Sequence, residues 1–128
     1  MGHLALICVG GALGTCTRYL AGVLAVHWLG MGFPYGTLAV NVAGAFLIGL
    51  VQHLAAAALV PEGLRLFLAV GVLGGMTTFS SFSYETVRLM SVDAWGKAWA
   101  NLVVTNGLCL VLCWLGMTVG RAATGPPN

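Results

Sequence analysis

The chain has 128 residues, of which 59% are hydrophobic and 6% charged, with a formal net charge of +2. A soluble domain carries roughly 25% charged residues, so lipid is the solvent for most of this chain, and the small net charge gives no reason to expect a nucleic-acid partner. A crossing takes about 20 apolar residues, so four spans use the whole length and leave no room for a soluble domain.

The first span is expected over residues 4–29, closed by Gly30-Met31-Gly32 and Phe33-Pro34. It lacks a basic leader and holds Arg18 inside it, so it reads as a retained helix rather than a removable signal. Gly10 and Gly14 form a GxxxG pair that lets another backbone approach closely. A cation at that depth costs roughly 2.5 to 3.5 kcal/mol, so Arg18 is expected to face protein or a wet vestibule. It either attracts an anion there or holds backbone carbonyls.

The second span is expected over residues 35–59, stopped by Pro61-Glu62-Gly63. Thr37, Asn41, Ala45 and Gln52 share one stripe on it. Asn41 lies about 9 Å from the span centre, toward the side opposite the amino terminus. A lone asparagine in a span serves either as interhelical glue or as a ligand.

The third span, over residues 64–90, is interrupted near its middle by Gly74-Gly75-Met76-Thr77-Thr78-Phe79-Ser80-Ser81-Phe82. Adjacent glycines weaken a helix by about 1 kcal/mol each relative to alanine. The hydroxyls stand where lipid-facing sequence would carry Leu or Val. A broken backbone in hydrocarbon must be buried in protein or line a wet cavity, and mid-membrane breaks often carry ion sites. The competing reading is a packing kink that admits a neighbouring helix. Phe79 and Phe82 share a face. Glu85 lies deeper, with Arg88 three residues on as a candidate partner.

The fourth span is expected over residues 95–120, before the polar, proline-containing tail Thr124 to Asn128. Asn101, Thr105 and Cys109 fall on one i, i+4 stripe. Cys8, Cys16, Cys109 and Cys113 all sit in apolar runs without a His pair or CxxC, so they read as small buried hydrophobes rather than metal ligands. His3, His27 and His53 do not cluster and read as terminal or interfacial residues. With so few acidic residues, an enzyme is not expected.

Basic residues flank the spans evenly: Arg65 and Arg121 on the amino-terminal side, Arg88 and Lys97 on the other. The excess of Lys and Arg that sets orientation is absent, which fits a chain inserted both ways. Such a chain can form an antiparallel dimer with its axis in the membrane plane. Carbonyls freed by the third-span break would meet their symmetry mates there and hold a cation, or be satisfied by water. The fold class expected is an all-α membrane protein of four helices, the third broken at mid-membrane, assembled as an antiparallel dual-topology dimer.

Asn41 offers two N–H donors, and aromatic rings offer a positive edge. No fixed cation is needed at the narrowest point, where a full ion pair would hold an anion too tightly to conduct. The set suits a small, strongly hydrogen-bond-accepting anion, of which fluoride is the extreme case. The residues alone do not choose among such anions.

Three stretches carry a resemblance. Gly10-Gly11-Ala12-Leu13-Gly14-Thr15-Cys16-Thr17-Arg18-Tyr19, Gly36 to Phe46, and Gly74 to Phe82 occur in order. They resemble the first-, second- and third-span motifs of the fluoride channel family, Fluc or CrcB. The resemblance implies a homodimer of four-span subunits in the bacterial plasma or inner membrane, with two antiparallel pores that pass fluoride down its gradient. It implies that Asn41 is the pore amide and that Phe79 and Phe82 present ring edges to fluoride. It implies that the carbonyls of Gly74 and Thr77 hold a structural sodium, and that Arg18 is the vestibule arginine. Thr37, Ser81, Glu85 and Thr105 would neighbour the path. The fourth-span track of Asn101, Thr105 and Cys109 departs from the family pattern, which is richer in hydroxyls and often has Tyr where Asn101 falls. The runner-up is a small proton-coupled, dual-topology exporter of cations, but such exporters place a Glu in the first span, where this chain has Arg18. A non-transporting membrane scaffold is the third class.

Overall fold

A computed structural model of the chain describes residues 2–125. The proline-containing tail lies outside the described residues beyond Gly125. Four helical spans, each long and apolar enough to cross a membrane, run through Gly2–Leu29, Tyr35–Ala56, Glu62–Ser91 and Trp95–Thr124. With its four spans, the chain is a multi-pass integral membrane protein. The first two are helices α1 and α2. In the third, residues 62–76 form helix α3 and Phe79–Ser91 form α4; the fourth span is α5.

The helix ends follow from local chemistry. Gly30 takes φ +80° just after α1, and its N–H donates to the Val26 carbonyl at 2.9 Å. That is the left-handed stop that glycine makes without strain. The sequence led to helix as far as Leu59, whereas α2 ends at Ala56 and Ala58 turns to φ +57°. Pro61 is extended and opens α3. Asp93, also at φ +57°, ends α4, with the Ala94 N–H donating back to the Leu89 carbonyl at 2.9 Å. A short polar side chain tolerates that conformation better than a branched one.

Helix α3 is not uniform. Leu66–Leu73 is wound as a π-helix between α-helical turns. This stretch and Gly74–Met76 pack on α1, whereas α4 packs on α5, so the third span changes partner halfway along. Helix α2 makes its most extensive contact with α5. Glycine decides how closely α1 and α3 approach. A Cβ at Gly10 would lie 2.6 Å from the Phe67 carbonyl oxygen and 3.0 Å from Gly71 Cα, so no other residue lets α1 and α3 approach this far.

The buried apolar core is small: Val40, Leu73 and Met76 meet, with Ala21 and Ile48 packed against them. Large apolar side chains such as Trp28, Leu110 and Val103 are exposed around the outside. Among the described residues, the one large side chain that is fully buried is polar, Asn101. A water-soluble protein inverts this arrangement.

Candidate functional site

The site is built on the junction between α3 and α4. Thr77 (φ −81°, ψ 154°) and Thr78 (φ −155°, ψ 119°) are extended. The Thr78 N–H leaves the i→i−4 ladder where lipid offers no replacement. Asn41 from α2 supplies one. Its Nδ2 donates to the Thr78 carbonyl at 3.0 Å, and the Thr78 N–H donates to Asn41 Oδ1 at 2.7 Å. This clasp settles which end of the amide is which, because only nitrogen can donate to a carbonyl. One N–H of Asn41 remains unspent.

Thr78 also restarts the helix. Its Oγ1 accepts the Ser81 N–H at 3.1 Å, as an N-cap does, and donates to the Ser81 hydroxyl at 3.2 Å. Because the Thr78 N–H goes to Asn41, the Gly74 carbonyl loses the donor a continuous helix would give it. Thr77 keeps its N–H on the Leu73 carbonyl at 3.0 Å, and its own carbonyl accepts Arg18 Nη1 at 3.4 Å. Gly44 on α2 makes room for the Thr77 methyl, which a Cβ there would strike.

A cleft of about 440 Å³ lies beside the junction. It is lined by Asn41, Gly74, Thr77, Phe79, Phe82, Thr105, Asn106 and Cys109, among others. The rings of Phe79 and Phe82 are tilted 44° to each other with centroids 5.4 Å apart. Phe82 is 4% exposed and Phe79 75% exposed, so the first ring is set in the bundle and the second stands out from it. The structure thus gathers Asn41, Phe79, Phe82 and Thr105 into one space. It holds Arg18 at the Thr77 carbonyl, outside the lining of that cleft. Ser81 stays at the cap of α4.

Thr37 and Glu85 form a second group. Thr37 Oγ1 donates to Glu85 Oε1 at 2.8 Å, and Glu85 Oε2 is buried without a partner. Glu85 and Arg88 both border a smaller cleft of about 160 Å³ near Phe33 and Pro34, but they do not pair. The only ion pair among the described residues is Arg65 with Glu62, at 2.7 Å on the exposed start of α3. The hydroxyl of Thr37 reaches Glu85 first and takes the place expected for Arg88.

A third group ties α4 to α5. Thr86 Oγ1 donates to the Phe82 carbonyl at 2.7 Å, Asn101 Nδ2 donates to Thr86 Oγ1 at 2.9 Å, and Thr105 Oγ1 donates to Asn101 Oδ1 at 3.0 Å. Sequence reasoning passed over Thr86, which is 4% exposed. The usable signal was its i+4 spacing from Phe82, which lets a hydroxyl fold back on that carbonyl.

Comparison with known proteins bears on this arrangement. The family model described as CrcB-like protein, Camphor Resistance (CrcB), matches residues 5–117. The chain belongs to the CrcB-like family. Its CrcB-like relatives include a protein of Geobacter sp. (strain M21), 46% identical over 95% of this chain and 99% of that protein. One from Geobacter metallireducens is 47% identical over 90% and 94%, and one from Sorangium cellulosum is 47% identical over 88% and 90%. All three carry the name fluoride-specific ion channel FluC. The matched CrcB-like region contains the whole of the α3–α4 junction and its cleft.

Proposed function

We propose that the chain is a fluoride-selective passive channel that lets cytoplasmic fluoride leave down its gradient. The observation that carries the reading is the Asn41 clasp. A side-chain amide, oriented by two hydrogen bonds, keeps one N–H free in a cleft that also holds the rings of Phe79 and Phe82. The names of relatives that cover nearly the full chain support the choice of fluoride among small anions.

The chemistry follows from the residues. An amide N–H and ring edges attract a compact anion without the full charge of Lys or Arg, so binding stays weak enough for release. Fluoride gains most from such donors because it concentrates its charge in the smallest volume. HF crosses lipid and dissociates in a less acidic cytoplasm. A path open to fluoride and closed to protons relieves that trap.

The functional unit in this reading is an antiparallel homodimer with two pores. The even flanking charges support it, as does the apolar exterior that surrounds the exposed Phe79. A sodium ion at the dimer centre fits the donor set. The Gly74 carbonyl is freed by the clasp, the Thr77 carbonyl has one long contact with Arg18, and both donors are neutral oxygens of the kind a hard monovalent cation takes. When bound, the ion would neutralise converging carbonyl dipoles where two copies meet.

The test is flux. Purified protein in liposomes loaded with potassium fluoride is made permeable to potassium with valinomycin, and a fluoride electrode follows release. Rapid fluoride release without comparable chloride release is expected. Vesicles shown to contain folded dimer that release neither ion would overturn the reading.

A further inference from the structure

The fourth helix was expected to offer a track of hydrogen-bond donors to the cleft, and its buried members cannot. Thr105 has one hydroxyl proton, and it goes to Asn101 Oδ1 at 3.0 Å. Asn101 is 1% exposed and gives an N–H to Thr86 Oγ1. Both side chains hold α5 to α4.

Asn106 differs from the hydroxyls of the spans that fold back on their own helix. Thr17, Ser83, Ser91 and Thr118 each have one proton, and each gives it to the carbonyl four residues earlier at 2.9 Å. They hide their polarity from lipid. Asn106 does the same with one N–H, donated to the Leu102 carbonyl at 2.7 Å. An amide nitrogen has two protons, so one N–H is left, and its orientation is fixed by the first bond. The side chain is exposed in the single subunit and lines the cleft that holds Asn41, Phe79 and Phe82. By helical rise it lies about 5 Å from the centre of the span, toward the side opposite the amino terminus, in the half of the membrane where Asn41 lies. A free amide at that depth is costly in lipid unless protein, water or a ligand meets it.

We propose that Asn106 is a second amide subsite for the permeating anion, taking over the donor role that Thr105 has given to Asn101. The inference rests on the anion-channel reading above. It makes the cleft a two-step ladder in which an anion passes between Asn41 on α2 and Asn106 on α5, in the space that Phe79 and Phe82 also line.

The experiment compares wild type, Asn106→Leu and Asn106→Gln in the vesicle assay, with cross-linking to report dimer content. Asn106→Leu is expected to lower fluoride release at least about tenfold with dimer intact, the scale of one lost hydrogen bond in a water-poor site. Asn106→Gln keeps a spare N–H and is expected to recover part of that loss. Asn106→Thr stands in if the leucine variant does not fold. Its single proton would return to the Leu102 carbonyl, so it should lose flux as leucine does. Full flux in Asn106→Leu, or in Asn106→Thr, overturns the proposal and leaves the channel reading standing. A leucine variant that runs as a monomer also overturns it, since Asn106 would then belong to the subunit contact. Wild-type vesicles that release no fluoride overturn the channel reading and this inference together.

Discussion

Asn41 does two jobs with one side chain, and the two can be separated by substitution. Asn41→Asp keeps an acceptor for the Thr78 N–H but loses the donor to the Thr78 carbonyl and adds a negative charge. Fluoride efflux is expected to vanish in that variant, and near-normal efflux would contradict the assignment. Asn41→Leu loses both bonds and strands two backbone groups. It should cost about 2 to 4 kcal/mol of stability, read as an earlier thermal transition in detergent. Phe82→Ile removes a ring edge from the half-enclosed side of the cleft. Sharply lower flux in an intact dimer is expected, and unchanged flux would remove the ring from the mechanism. These positions were legible from residue type and depth, because a polar or aromatic side chain stands out in an apolar span. The clasp was not legible. It depends on Asn41 and Thr78 meeting across two helices, which no local spacing encodes. The same holds for Thr86, an ordinary threonine until Asn101 is seen beside it.

Among the elements, the four helical spans followed from composition, because long apolar runs between Gly and Pro stops admit few alternatives in lipid. The π-helical winding of Leu66–Leu73 was not legible. Its residues are apolar like most of those in α2, so nothing in their type marks the wider winding. Glycine sets the seam between α1 and α3, and the effect is position-specific. Gly10→Ala places a methyl against the Phe67 carbonyl and should cost about 1 to 3 kcal/mol. Gly11→Ala points into open space and should be neutral or gain up to about 1 kcal/mol from helix propensity. Thermal unfolding of the two variants in one detergent checks the contrast. Equal transitions would mean that α1 and α3 separate at little cost.

For the molecule as a whole, orientation is the open physical variable, and its flanking charges balance. Gly96 is exposed, in the first turn of α5, with no atom near its missing Cβ. With Cys8, Cys16, Cys109 and Cys113 replaced by alanine, Gly96→Cys is expected to react with an impermeant thiol reagent on intact cells in roughly half the molecules. Complete labelling, or none, would establish a single orientation and exclude the antiparallel dimer. The third span carries a further consequence. Its two halves grip different neighbours, and the extended Thr77 and Thr78 between them transmit bending poorly. The bundle is therefore two packed groups joined at a knuckle, α1 with α3 on one side and α4 with α5 and α2 on the other. Asn41, anchored in α2, which packs most extensively on α5, is the pin through that knuckle. The atom group that holds the joint at its working angle is the one that faces the cleft, so loosening the joint and emptying the cleft are a single mechanical event.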